Sequence, residues 1–403
     1  MSKNKNPLSD KSRLCAQTQL VHGGVERSQW GETSEPIYFN SGFTYESSES
    51  AEARFNGEEN EKGHIYSRFS NPTIDMFQDR MAMFEGAQAA RATATGMAAV
   101  TYALLSQVKA GDHVVAARAL FGSCRYVVED FLPRFGVQST LVDGRDPANF
   151  AKAMRPNTTA IFIETPTNPT LELVDIKAVA DIAHENGAKL IVDNVFATPV
   201  WQKPLELGAD LVVYSATKHI DGQGRALGGI ILGSAELIEG DVHSFIRQTG
   251  PSISPFNAWI MLKGLETLDL RVKQMTSNAE KIAYFLAEQK NISTLFYPTH
   301  KSHPQYDLAK KQMKAGSTMV SFEVKGGQEE AFRLANALSI ILISNNLGDA
   351  KSIISHPSTT THYRFSEEER LEAGINRSLL RLSVGLEDVG DLIADLDFAL
   401  GQV

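Results

Sequence analysis

The chain has 403 residues, 42% of them hydrophobic and 22% charged, with a formal net charge of −9. That length supports a large buried core in two or three domains. The absence of an uninterrupted apolar run of about eighteen residues argues against a membrane-spanning helix, and the acidic balance argues against nucleic acid as a partner, while leaving room for a local basic pocket.

The first residues, MSKNKNPLSDKSR, are polar and lack the apolar core of a secretory signal, so a cytoplasmic protein is expected. Residues 1–65 are rich in Ser, Glu, Asn and Gly without sustained periodicity and read as an irregular arm. An arm of that length is too long for an ordinary connection; it is either mobile or spent on contacts with a partner. Organised sequence begins at Asn71-Pro72, a helix start with Pro at the first helical position. Ile74, Phe77, Met81 and Phe84 follow at helical spacing, and Gly86 closes the segment. A second helix is predicted from Thr95-Gly96 towards Gly111.

Beyond it, short β-rich segments at 113–117, 159–164, 189–194, 211–216 and 228–233 alternate with helical patterns such as 174–187. Apolar strands alternating with helices predict an α/β fold with a mostly parallel sheet covered on both faces. A long amphipathic stretch over 255–289 then links to a remainder of mixed strands (TMVSFEVKG, LLRLSVG) and helices, read as a smaller α+β domain. The expected division is an arm over 1–65, a large ligand-binding domain over 66–258 and a carboxyl-terminal domain over 259–403.

Open α/β sheets bind ligands at the carboxyl ends of their strands, and the reactive residues of this chain cluster there. Asp193 ends KLIVD, Glu164 ends TAIFIE with Asn168 just after it, and Ser215, Thr217 and Lys218 follow LVVY. Taken alone, Lys218 reads as a solvated surface lysine. Its setting behind an apolar strand, amid Ser, Thr and His, suits a desolvated amine of lowered pKa that can act as a nucleophile. Asp193 alone reads equally as a helix cap. A buried carboxylate there could instead keep a pyridine nitrogen protonated. Gly96-Met97 opens a helix whose free N–H groups could hold a phosphate. Ser215 and Thr217 alternate along a strand end and could face the same phosphate, although ordinary strand-edge polarity explains them as well. Cys15 and Cys124 form no CxxC pair, so no metal site and no disulfide framework are indicated.

The segments YSRFSNPT (66–73), ATATGMAAV (92–100), ETPTNP (164–169), VDNVFATP (192–199), YSATKHIDG (214–222) and LRLSVGLED (380–388) together resemble the Cys/Met-metabolism enzymes that depend on pyridoxal 5′-phosphate (PLP). The resemblance runs over about 16–400 with the motifs in order. It implies fold type I, similar to aspartate aminotransferase. Residue by residue, it implies that Lys218 carries PLP as a Schiff base and shuttles protons, and that Asp193 pairs with the ring nitrogen. Gly96, Met97, Ser215 and Thr217 would form the phosphate cup. Tyr66 and Arg68 would reach the phosphate of a neighbouring subunit, giving the arm a purpose within a homotetramer of active-site-sharing dimers. Arg381 would clamp the substrate α-carboxylate through its planar fork, Asn168 would lie near the phenolic oxygen of the cofactor, and Glu164 would support the site from behind.

The chain departs from the family pattern in three places. Phe121 stands where most members stack a Tyr over the ring; it can stack but cannot move a proton. Ser123-Cys124 stands where methionine γ-lyases carry Cys one position earlier, and Cys124 reads as a small buried apolar residue. Asn345-Asn346 stands where relatives show a Ser that helps hold the substrate carboxylate, a task Asn346 is expected to share. These departures are most similar to the O-succinylhomoserine sulfhydrylase branch. The expected reaction is γ-replacement on an O-acylhomoserine with sulfide to give homocysteine, with cystathionine γ-synthase or a methionine or cystathionine γ-lyase as alternatives. A silent relative used only for binding is disfavoured by the joint presence of Lys218, Asp193 and Arg381. A nucleotide-binding module is disfavoured because GQGRALGG lacks the spacing of a phosphate loop.

Overall fold

The computed structural model describes residues 14–58, 60–61 and 63–403; the polar first thirteen residues, on which the expectation of a cytoplasmic protein rests, lie outside them. Seven strands form the larger sheet: β1 (Ala89–Thr93), β2 (His113–Ala117), β3 (Gln138–Val142), β4 (Thr158–Glu164), β5 (Lys189–Asp193), β6 (Leu211–Ser215) and β7 (Gly229–Gly233), in spatial order β1-β7-β6-β5-β4-β2-β3. The neighbours from β3 to β6 pair in parallel, whereas β7 runs antiparallel to both β6 and β1. The expected mostly parallel sheet is therefore present with one reversed strand.

Its central strands, β4 to β7, read as largely apolar runs because both faces are covered. Leu190 and Val192 of β5 join the core on one face with Ile161, Ile163 and Val212, while Ile191 joins Ala160, Phe162 and Val213 on the other. This follows from the two-residue side-chain period of a strand. Each fully buried Val, Leu or Ile contributes about 1.5–3 kcal/mol, so a one-residue slip of register is heavily penalised.

The second sheet has five strands, β8 (Ile292–Phe296), β9 (Met319–Val324), β10 (Leu342–Ile343), β11 (Ile353–Ser355) and β12 (Leu379–Ser383), in spatial order β10-β11-β12-β9-β8. It packs its own core against the helices Leu268–Ala287, Gln328–Ala337 and Val389–Leu400. No described helix is long and apolar enough to cross a membrane.

The helix Pro72–Glu85 has its predicted bounds: the Asn71 side chain caps it and Gly86 ends it in the left-handed conformation. The next helix, Gly96–Leu105, stops short of the expected Gly111 because apolar spacing ends at Leu105 and the Ser106 hydroxyl turns back to Ala103 O. The amphipathic stretch 255–289 forms two helices, Pro255–Leu265 and Leu268–Ala287. The arm is less irregular than expected. Helices Ala16–His22 and Ser48–Phe55 interrupt it; the second buries no residue, so it carries no apolar periodicity to read. The arm is also tied to its own chain. Buried Arg80 donates to Gly23 O at 2.8 Å and pairs with Glu35, and Trp259 Nε1 donates to Glu35 O.

The turn after β6 is braced from the linking helix. Arg271 donates to His219 O and Gly264 O, each at 2.8 Å, and to Ile220 O at 3.3 Å. Burial lowers the pKa of this guanidinium to about 10, which leaves it charged and able to satisfy these carbonyls strongly. Gly222, at φ +67°, packs against it so closely that a Cβ would lie 1.8 Å from Arg271 Nη1. Gly222→Ala should therefore destabilise the cofactor-free protein by about 2–3 kcal/mol. A lowered thermal unfolding midpoint is the expected result; an unchanged midpoint would refute the brace.

Candidate active site

The carboxyl ends of β4, β5 and β6 open into one cavity of about 280 Å³, closed on the far side by residues of the smaller sheet. Its walls include Gly96, Met97, Phe121, Asn168, Asp193, Ser215, Thr217, Lys218 and Arg381. Of the residues singled out from the sequence for this site, Tyr66, Arg68 and Asn346 are missing from that wall. Asn346 adjoins it, since its Oδ1 accepts from Lys218 Nζ at 2.6 Å.

Register brings two acids together. Glu164 ends β4 directly opposite Asp193 on β5. The two oxygens of Glu164 accept from Phe121 N at 2.7 Å and from Asn168 N at 2.8 Å, so one carboxylate holds two loops of the cavity. Asp193 Oδ1 accepts from Val195 N at 3.1 Å. Burial pushes both acids well above the usual carboxylate range, and the Asp193 charge pushes Glu164 further. Two buried carboxylates with ligand oxygens within 4.8 Å of each other share a preference for one proton, although the Arg381 charge favours the ionised form of Glu164. Behind them, Asn194 donates to Gln202 O at 2.8 Å and to Tyr214 Oη at 2.6 Å, and the Tyr214 hydroxyl donates to buried Glu85 at 2.7 Å. That chain fixes the backbone on which Asp193 is carried.

Gly96, Met97, Ser215 and Thr217, the candidates for a phosphate cup, lie together in the cavity wall. The helix Gly96–Leu105 begins at the cavity with Thr95 as its cap, whose hydroxyl takes Ala98 N at 3.0 Å. At Gly96 a Cβ would lie 2.5 Å from Ser215 Cβ, so only glycine lets the helix start approach the end of β6. A helix start in that wall suits an anion; the Thr217 hydroxyl is also tied to the Gly228 backbone, donating to its O at 3.3 Å and accepting from its N at 3.1 Å.

Lys218 and Arg381 supply the cationic side. Burial, and then the Arg381 charge, lower the Lys218 amine from its ordinary 10.5 to about 8. Arg381 on β12 is 1% exposed. Its Nη1 donates to Asn168 Oδ1 at 2.9 Å and its Nη2 to the carbonyls of Asn345 and Asn346 at 3.1 Å. Its Nε is buried with no partner among the described residues, and an unmet buried donor on a charged group is costly unless a ligand completes it.

Cys124 is buried, with Sγ 3.9 Å from Met97 Sδ. Burial and the charges of Asp193 and Glu164 hold its thiol well above its ordinary value, which leaves it unreactive. Ligand atoms of Cys124, Glu164 and Asp193 lie within 4.8 Å of one another. Glu164 is already spent on backbone donors and the thiol resists ionisation, so the trio is poorly suited to a metal.

Tyr66 and Arg68 line a separate depression of about 550 Å³ with Phe39, Ser41 and Ser254. Arg68 donates to Arg247 O and lies over the Phe69 ring, its Cζ 4.7 Å from the centroid. Tyr66 is 41% exposed. Within one chain these two do not meet Lys218. Sequence reasoning names Thr95 and Asn345 without giving either a place in the cavity wall, and passes over Thr361 and the Arg271 brace. Thr95 carries a readable capping signal, a Thr just before a helix start. Asn345 is marked only by the Asn345-Asn346 departure from the family pattern, and Thr361 has no signal, since only packing brings it to the wall.

The Cys/Met metabolism PLP-dependent enzyme family model matches residues 17–401. The chain is 50% identical over 400 residues to an O-succinylhomoserine sulfhydrylase of Mycobacterium tuberculosis, covering 98% of both. It is 42% identical over 396 residues to an L-methionine gamma-lyase of Porphyromonas gingivalis, covering 98% of this chain and 99% of that one. A solved Campylobacter jejuni structure described as an O-acetylhomoserine (thiol)-lyase and carrying N′-pyridoxyl-lysine-5′-monophosphate superposes with a TM-score of 0.92 at 35% identity, over 96% of this chain and 99% of that one.

In the cofactor-free protein the Lys218 amine should titrate near pH 8, protonated below and neutral above. Arg381→Gln removes the neighbouring cation, so that value should rise. The pH dependence of Lys218 acylation by an amine-selective reagent reads both; an ordinary lysine value in the parent protein would contradict the buried setting.

Proposed function

Because the chain belongs to the Cys/Met-metabolism PLP-dependent enzymes and takes PLP as its cofactor, we propose that it catalyses γ-replacement on an O-acylhomoserine, O-succinyl-L-homoserine with sulfide, to give L-homocysteine. The observation that carries the amino-acid part of this reading is the pairing of Lys218 with Arg381 in one cavity: a buried amine of lowered pKa for carbon-bound protons, and a buried guanidinium with an unmet Nε–H for a carboxylate. The succinyl and sulfide part rests on the 50% identity to the M. tuberculosis sulfhydrylase. A second reading, methionine γ-elimination, is favoured by the 42% identity to the P. gingivalis lyase; cystathionine γ-synthesis differs only in the thiol.

The residues fit the cofactor. The glycine-tight helix start with Ser215 and Thr217 suits a phosphate, and the buried Asp193 suits a protonated ring nitrogen, whose charge would hold Asp193 ionised despite its burial. Lys218 would hold the aldehyde carbon covalently until a substrate amine displaces it. Bound there, PLP withdraws the electron pair left when a proton leaves Cα. Arg381 would take the α-carboxylate in its fork. Phe121 would lie against the ring but has no group to donate or accept a proton, so proton transfers fall to Lys218. Its pKa of about 8 lies close enough to neutrality for transfer in both directions. Tyr66 and Arg68 would complete the phosphate site of a neighbouring subunit in a homotetramer of site-sharing dimers, which accounts for their distance from Lys218 within one chain.

Three assays test this reading. O-succinylhomoserine with sulfide should yield homocysteine, at a rate exceeding the release of ketobutyrate without a thiol; faster release than thiol addition would favour the lyase. Lys218→Ala should lower turnover by about a thousandfold or more, and near-parental rates would remove its role. Lys218→Ala and Arg68→Ala chains, each inactive alone, should regain partial activity when mixed; no recovery in a verified mixed oligomer would count against shared sites.

A further inference from the structure

Glu85 is the last residue of the helix Pro72–Glu85 and is fully buried, yet no step of the proposed reaction uses it. Its setting opposes a negative charge. It is shut off from water, it lies at the carboxyl end of a helix, where the backbone dipole is negative, and its Oε1 has no hydrogen-bond partner among the described residues. Burial pushes its pKa up to about 8; the Tyr214 hydroxyl and the Lys203 charge pull the other way, and Glu206 adds to the rise. At neutral pH Glu85 is therefore mostly the uncharged acid.

Its other oxygen accepts from Tyr214 Oη at 2.7 Å, and Tyr214 Oη accepts from Asn194 Nδ2 at 2.6 Å. The Asn194 amide is fixed in that orientation, because its Nδ2 also donates to Gln202 O and its Oδ1 accepts from Gln202 Nε2, both at 2.8 Å. A phenol has one proton to give. Glu85 takes it, which leaves a lone pair of the hydroxyl for Asn194. Without an acceptor at position 85, the proton would turn towards a second donor and the join would be lost. Asn194 directly follows Asp193 at the end of β5, and Tyr214 directly precedes Ser215 near the end of β6. The paired register of these strands closes with Asp193 opposite Val213. Ser215 lies two residues further on, so the clasp of Asn194 and Tyr214 carries the join past that point. Asp193 and Ser215 line the cavity, while Tyr214 packs into the core on the other face of the sheet, as strand alternation requires.

Resting on the assignment of Asp193 to the ring nitrogen and Ser215 to the phosphate, we infer that Glu85 is a positioning residue of the cofactor site: by orienting the Tyr214 hydroxyl it locks the ends of β5 and β6 together, and so sets the span from the ring-nitrogen partner to the phosphate cup. A site of this kind is only as well placed as the buried hydrogen bonds behind it.

Titration of the cofactor-free protein with PLP tests this through the dissociation constant. Tyr214→Phe and Glu85→Leu should each weaken binding about tenfold or more, the equivalent of one buried hydrogen bond. Glu85→Gln keeps an uncharged acceptor of the same shape and should bind PLP as tightly as the parent. A loss in Glu85→Gln as large as in Glu85→Leu would overturn the inference, as would parental binding in both Tyr214→Phe and Glu85→Leu. At saturating PLP, the circular dichroism of the bound cofactor should change in Tyr214→Phe and Glu85→Leu and keep its parental form in Glu85→Gln. This signal reports the seating of the ring, which a mere loss of stability leaves as it is, so parental dichroism in the two weak binders would also count against positioning. Asp193→Asn separates the underlying assignment. If it binds PLP as the parent does, Asp193 is not the ring-nitrogen partner and the inference falls with that reading. If it binds weakly while Tyr214→Phe and Glu85→Leu bind normally, the inference alone falls.

Discussion

The carboxylate of Glu164 is the fixed point of the cavity. It is buried at the end of β4 and is spent entirely on the backbone N–H groups of Phe121 and Asn168. Those two bonds set the aromatic wall on one side and, through Asn168 Oδ1, the orientation of Arg381 on the other. Because Glu164 lies opposite Asp193 in the register of β4 and β5, it also raises the cost of a second negative charge, and this makes a cationic ring nitrogen a favourable neighbour for Asp193. One buried acid thus couples loop geometry, the orientation of the proposed carboxylate clamp and the setting of the proposed ring-nitrogen partner.

The cationic half of the site depends on the junction between the two sheets. Lys218 lies on a turn of the larger sheet, Arg381 on a central strand of the smaller one, and Asn346 on a loop between them. Arg271 pins the Lys218 turn to the helix that links the two halves. Movement of one half against the other would therefore change the distance from amine to guanidinium and, with it, the lowered pKa of Lys218. The buried Nε–H of Arg381 has no partner among the described residues, so a bound carboxylate would relieve an existing cost as well as add a contact.

The arm divides its contacts. Arg80 and Trp259 anchor its residues 23–35 to the helices Pro72–Glu85 and Pro255–Leu265 of the same chain, whereas Phe39 and the adjoining Tyr66 remain solvent-facing around a depression separate from the Lys218 cavity. An arm held at its base with aromatics exposed beyond it is the arrangement expected of a segment that completes a neighbour's site, in keeping with the proposed sharing.

Local chemistry determined much of this protein from the sequence alone. The caps Asn71 and Gly86, the unbroken apolar runs of the central strands, and the polar residues at their carboxyl ends are consequences of rules that act within a few residues. The positions of Lys218, Asp193, Ser215 and Gly96 at strand ends and a helix start are therefore legible in the amino-acid order, whereas the roles expected of them came from the resemblance of six ordered motifs. The strands without a legible signal include all four sheet edges, β1, β3, β8 and β10, together with the short β11. Edge strands bury less and so carry a weaker apolar pattern. Only the tertiary structure decided that Glu164 faces Asp193, that Arg271 braces the turn carrying Lys218, that Thr361 and Asn345 reach the cavity, and that Asn346 accepts a hydrogen bond from the lysine. Each of these joins residues far apart in the chain through register or packing between two sheets, and no local pattern records such a distance.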